Sequence, residues 1–90
     1  MKTEEKLNPF CNVNYDNMIL PSITIYNSLA DHRGMYVARL FESAVPAPLN
    51  TFAIGNKIDE LRDMIKAAGF YLRVPRDIHD LPAVVETWFR

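Results

Sequence analysis

The stretch Asn56 to Gly69, NKIDELRDMIKAAG, constrains the fold more than any other. Ile58, Leu61, Ile65 and Ala68 recur at helical spacing and make one apolar stripe, with Met64 at its margin. Asn56 is a favoured N-cap, because its side-chain oxygen can accept from the free amide of Asp59. Asp59 and Glu60 in the first turn and Lys66 near the last complement the helix dipole. Gly69 supplies the left-handed residue that ends a helix, and Phe70 can close back on Ile65. These signals predict one helix over about 57–68. No other segment carries such a pattern, so the rest of the chain must pack against a single stripe.

A chain of 90 residues makes one domain with a modest core. Residues 1–17 read as a polar N-terminal arm and 18–90 as a single α+β domain. Hydrophobic residues are 49% of the chain, which argues for a folded protein. Ten basic and eleven acidic residues leave a net charge of -1, which speaks against a broad nucleic-acid or anionic-membrane surface. Cys11 is the only cysteine, so no internal disulfide can form. That suits a reducing cytoplasm. The start MKTEEKLN is charged in both signs and lacks the apolar run of a signal peptide. The apolar region Met18 to Tyr26 is broken by Pro21 and Ser22 and is too short to span a bilayer.

Period-two alternation places the strands. The first runs from Ile19 to Tyr26, with Ile23 and Ile25 on one side and Thr24 and Tyr26 on the other. The second is Met35 to Glu42. Arg39 is costly to bury unpaired, so Met35, Val37, Arg39 and Phe41 are expected away from the helix. A third, Thr51 to Ile54, is expected to turn Phe52 and Ile54 inward. The fourth, Phe70 to Val74, turns Phe70, Leu72 and Val74 inward. The fifth, Ala83 to Phe89, turns Ala83, Val85, Thr87 and Phe89 inward. The order is β-β-β-α-β-β. The expected fold is a two-layer α+β domain: a mostly antiparallel sheet of four or five strands, one helix on one face, and strands three and four parallel across the helix. The strand–strand–strand–helix order and the Ile58/Leu61 pattern loosely resemble small antitoxin domains of the HicB type over about half the chain. The likeness is one of element order and carries over no functional residue.

No glycine-rich phosphate loop, paired CxxC, HExxH or GxSxG is present, and no cofactor is expected. Two constellations follow from the topology. The loops Asn27–Gly34 and Pro75–Pro82 share one end of the sheet and gather Asp31, His32, His79 and Asp80. Imidazoles and carboxylates there are candidate metal ligands or proton carriers, and the helix start beside them suits an anion, so the alternative is a small metal- or anion-dependent enzyme using His32 and His79. The plainer reading is that the aspartates shape turns. The second constellation is the sheet face away from the helix, expected to show Tyr26, Arg39, Phe41, Tyr71, Arg73, Glu86 and Trp88. Aromatics with arginines suit a protein interface or stacked single-stranded RNA. The net charge and a central Glu86 favour protein. The expected function is therefore a non-enzymatic interaction or regulatory module, a homodimer or a binder of another protein through this face.

Overall fold

The computed structural model describes residues 8–27, 34–44, 47–80 and 82–90. Five strands and one α-helix follow each other as β1 (Pro21–Asn27), β2 (Tyr36–Glu42), β3 (Ala47–Gly55), α1 (Ile58–Ala67), β4 (Leu72–Pro75) and β5 (Val84–Phe89). The spatial order is β3-β2-β1-β5-β4, and each pairing is antiparallel. Four antiparallel steps give β3 and β4 the same direction, as expected, but they lie at opposite edges. The helix thus links the two outer strands across one face of the sheet.

The helix forms where its apolar spacing dictates and buries Leu61 and Ile65. Its start differs from expectation. Lys57 is the cap residue, Asn56 stands one position too early, and no side chain caps the first turn. Its end is as read. Gly69 is left-handed at φ 94°, and the Gly69 and Phe70 amides donate back to the Lys66 and Ile65 carbonyls. This is a Schellman stop, and its apolar contact is Phe70, which is fully buried.

The core gathers Ile23, Ile25, Ala38, Leu40, Leu61, Ile65, Phe70 and Trp88, joined by Phe10 from the arm. The arm's asparagines have a structural task. The Asn8 and Asn14 side chains accept the amides of Phe10 and Asp16, so each starts a short 3-10 turn, Pro9–Asn12 and Tyr15–Asn17. Asn8 also donates its Nδ2 to the Met64 carbonyl at 2.8 Å, which ties the arm to the helix. Phe10 enters the core, and Tyr15 meets Phe70 edge-on at 5.2 Å. The described part of the arm therefore completes the helix layer instead of lying over the far face of the sheet.

The phase of β2 is as read: Ala38 and Leu40 are in the core. The phases of β3 and β4, and of β5 from Glu86 onward, are reversed, while a bulge in β5 leaves Val85 against the core and Val84 on the far face, as read. Phe52 and Ile54 are 45% and 38% exposed, and Leu72 and Val74 are 60% and 40% exposed, whereas Glu86 and Trp88 are buried. Register explains β3. Ala53 pairs with Ala38 on the core side, so Phe52 and Ile54 share the other face with Arg39 and Val37. A buried ion pair, described below, explains β4 and β5.

The helix is the stability centre. Leu61→Ala should cost about 2–5 kcal/mol through the cavity it leaves. Gly69→Val should cost about 1–2 kcal/mol, because a β-branched residue resists the left-handed conformation. Urea denaturation of both variants checks this; near-wild-type midpoints would contradict the packing.

Candidate functional site

Two polar arrangements stand out, one on each side of the sheet. On the helix side, Glu86 is 1% exposed and fully engaged. Arg62, from the middle of α1, grips it with two bonds, Nε to Oε2 at 2.9 Å and Nη2 to Oε1 at 2.8 Å. Trp88 Nε1 donates to Oε2 at 2.8 Å, and Arg73 Nη1 to Oε1 at 3.3 Å. Burial pushes the Glu86 pKa up, but the hydrogen bonds from Arg62, Trp88 and Arg73 outweigh it and hold the carboxyl below its usual range. With two oxygens taking four bonds, this carboxylate is satisfied and held as a structural joint. Glu86, Trp88 and Arg73 therefore belong to the helix side and are removed from the candidate interface. Tyr71 is 75% exposed but precedes β4 and takes no part in the far-face ladder.

The far face follows from register, since directly opposed residues share a side. Ser22 faces Phe41 and Phe89, Thr24 faces Arg39 and Thr87, and Tyr26 faces Val37 and Val84. Leu72 and Val74 extend the face beyond Phe89 and Thr87. Phe52 and Ile54 extend it beyond Arg39 and Val37. Tyr26, Arg39 and Phe41 are thus placed as expected. The result is a polar middle between two apolar edges.

In the middle lies an open groove of about 420 Å³. Ser22, Thr24, Ser43 and Thr87 give it hydroxyls, and Tyr26, Phe41 and Val84 give it apolar wall. The hydroxyls of Ser22 and Ser43 share a hydrogen bond, as do those of Thr24 and Thr87 at 3.3 Å. The chain after β4 brings His79 and Asp80 to the rim. Burial raises the pKa of Tyr26; Arg39 opposes that shift and the Asp80 charge adds to it. Arg39 lies over the Phe52 ring at 5.7 Å and donates Nε to the Leu49 carbonyl at 2.8 Å.

Of the candidate metal ligands, Asp31 and His32 lie outside the described residues. His79 and Asp80 are neighbours in a tight turn. The Asp80 carboxylate accepts the Asp77 amide at 2.9 Å, and the Asp77 carboxylate accepts the His79 amide at 3.1 Å. These are turn-shaping bonds. Among the described residues, no group of three or more histidines, cysteines or acidic residues is placed to hold a metal ion. Also among them, no helix is long and apolar enough to cross a membrane.

The face residues that alternation missed are Phe52, Ile54, Leu72 and Val74 at the edges and Thr87 and Phe89 in the middle. One signal was available: Glu86 and Trp88 sit two apart in a strand, so a partner on the helix would draw both inward together. Comparison with known proteins gave no matching family model, no matching curated protein and no matching solved structure.

Arg62→Ala should cost about 3 kcal/mol at neutral pH, the low end for breaking a buried pair, because Arg73 and Trp88 stay on the carboxylate. The folded-state pKa of Glu86 is lowered, as is that of Glu42, whose carboxylate takes the Ile19 and Leu20 amides. Both contributions are present above the ordinary carboxylate range and are lost as pH falls through the folded values. Glu86→Gln should therefore flatten the acid limb of a stability-against-pH curve measured by chemical denaturation.

Proposed function

We propose that this chain is a non-enzymatic interaction module that docks a protein partner through the far face of its sheet. One observation carries the reading. Phe52 and Ile54 at one edge and Leu72 and Val74 at the other are between 38% and 60% exposed on a sheet face over which no described helix lies. Exposed apolar groups flanking a hydroxyl-lined middle suit a partner that offers apolar contacts at its rims and hydrogen bonds at its centre. Protein fits better than nucleic acid. Among the described residues Arg39 is the one basic residue in the ladder of this face, the Asp80 charge acts on Tyr26 against it, and the chain's net charge is -1. Glu86 takes no part in this face, because it is buried on the opposite side and already bound. A reducing compartment such as the cytoplasm suits the exposed free thiol of Cys11.

The test is a photo-crosslinking phenylalanine analogue in place of Leu72, in the native cell. A discrete adduct of defined mass is expected, and Thr87→Arg, which sets a charge in mid-face, should reduce it severalfold. Absence of an adduct, or one indifferent to Thr87→Arg, would overturn the reading.

A further inference from the structure

We propose that two copies of this chain pair, antiparallel, through the outer edge of β3. This goes beyond the docking reading and does not rest on it. β3 is an outermost strand and, among the described residues, pairs only with β2. An unpaired edge is a template for another strand unless something blunts it. The first half of β3 is blunted. It carries Pro48, and its ladder with β2 is broken between the Arg39–Phe52 and Phe41–Pro48 pairs, so Leu49 to Thr51 bulge away. The second half, Phe52 to Gly55, has neither proline nor charge.

The opposite edge differs. β4 spans only Leu72–Pro75, ends in proline and carries Arg73. A two-fold pairing centred there would set Arg73 against its own copy. Pairing β3 with a neighbour's β4 would be head-to-tail and would run on into open fibres. Pairing β3 with β3 closes after two copies and leaves only the guarded β4 edges.

The shape at the edge supports this occupant. A trough of about 340 Å³ lies along β3 and draws its walls from both sides of the strand. Phe52 and Ile54 come from the far face, Ala53 and Leu61 from the core side, Pro9 and Met64 close one wall, and Glu60 of the helix is the one charged residue of the lining. A cleft that straddles a strand edge is where an added strand would sit. A two-fold axis at Ala53 then sets Phe52 directly opposite the second copy's Ile54, twice. An aromatic against a β-branched residue is a favourable cross-strand pair. Each pair covers part of its two side chains, the far face stays open, and the two sheets become one of ten strands with both helices on the same side.

Sedimentation velocity on the purified full chain, over micromolar to submillimolar protein, tests the proposal. The wild type should show a concentration-dependent monomer–dimer equilibrium. Phe52→Lys with Ile54→Lys brings like charges together twice and should give monomer at every concentration. Phe52→Lys with Ile54→Glu turns those contacts into ion pairs and should restore the dimer, now weakened by salt. Circular dichroism reports the fold of each variant. Should the paired substitutions unfold it, Phe52→Lys alone should still weaken dimerisation at least tenfold. A wild type that stays monomeric, a dimer that survives the lysine pair, or a lysine–glutamate pair that fails to restore it would each overturn the proposal. Thr87→Arg should leave this dimer intact while reducing far-face docking severalfold, so the two readings fail separately. Loss of the dimer with Thr87→Arg would move the contact to the far face and overturn the edge pairing.

Discussion

Everything on the sheet's second half depends on one buried carboxylate. Glu86 cannot go into the core alone, because a desolvated charge costs several kcal/mol. Arg62 makes its burial possible. It projects from α1 at a point where both guanidinium bonds reach the carboxylate, and Arg73 and Trp88 take the remaining lone pairs. Three elements, α1, β4 and β5, are thus held in one register. Once Glu86 faces the helix, Trp88 must do so too, since side chains two apart share a side. Leu72, Val74, Thr87 and Phe89 are then turned to the far face. The exposed surface is a consequence of the ion pair.

Removing Phe52, Ile54, Leu72 and Val74 from the helix side leaves a small core for a chain of this length, and the arm makes good the deficit. Phe10 is fully buried in the cluster with Leu61 and Ile65, Tyr15 meets Phe70 edge-on, and Arg90 lies over both rings. Arg90 lies 4.5 Å over the Tyr15 ring. Burial pushes the Tyr15 hydroxyl up to about 12, against the pull of Arg90 and with a smaller push from Cys11. It therefore keeps its proton, which it donates to the Phe10 carbonyl at 2.6 Å. The N- and C-terminal ends of the described chain meet over the helix C-terminus, where the Schellman turn presents Phe70 to both.

The sheet that results has unlike sides. One carries the helix, the arm and the charged joint. The other presents hydroxyls between apolar edges, with the His79–Asp80 turn at its rim. Its two outer strands are also unlike. Proline and arginine guard β4, whereas the second half of β3 is neutral and regular. Surface chemistry and edge chemistry thus both arise from the way a short sheet distributes its few charged residues.

Local rules were enough for the local elements. The helix, its Gly69 stop, the closure on Phe70, the strand order β-β-β-α-β-β and the aspartate-shaped turn at 77–80 all depend on neighbours within about five residues, and each can be read from the chain. Arg39 likewise marked the outward face of β2, because an unpaired charge avoids the core. Alternation alone could not orient the other strands. A period of two defines two sides, but which side is buried depends on what lies opposite. For β5 the deciding partner, Arg62, is 24 residues away in sequence. For β3 it is the Ala38–Ala53 register, and for the arm a lone Phe10 with no period around it. Sequence by itself determined the elements and their order. Tertiary structure decided the faces, because a buried charge and its counter-charge can choose a side only when both are in place.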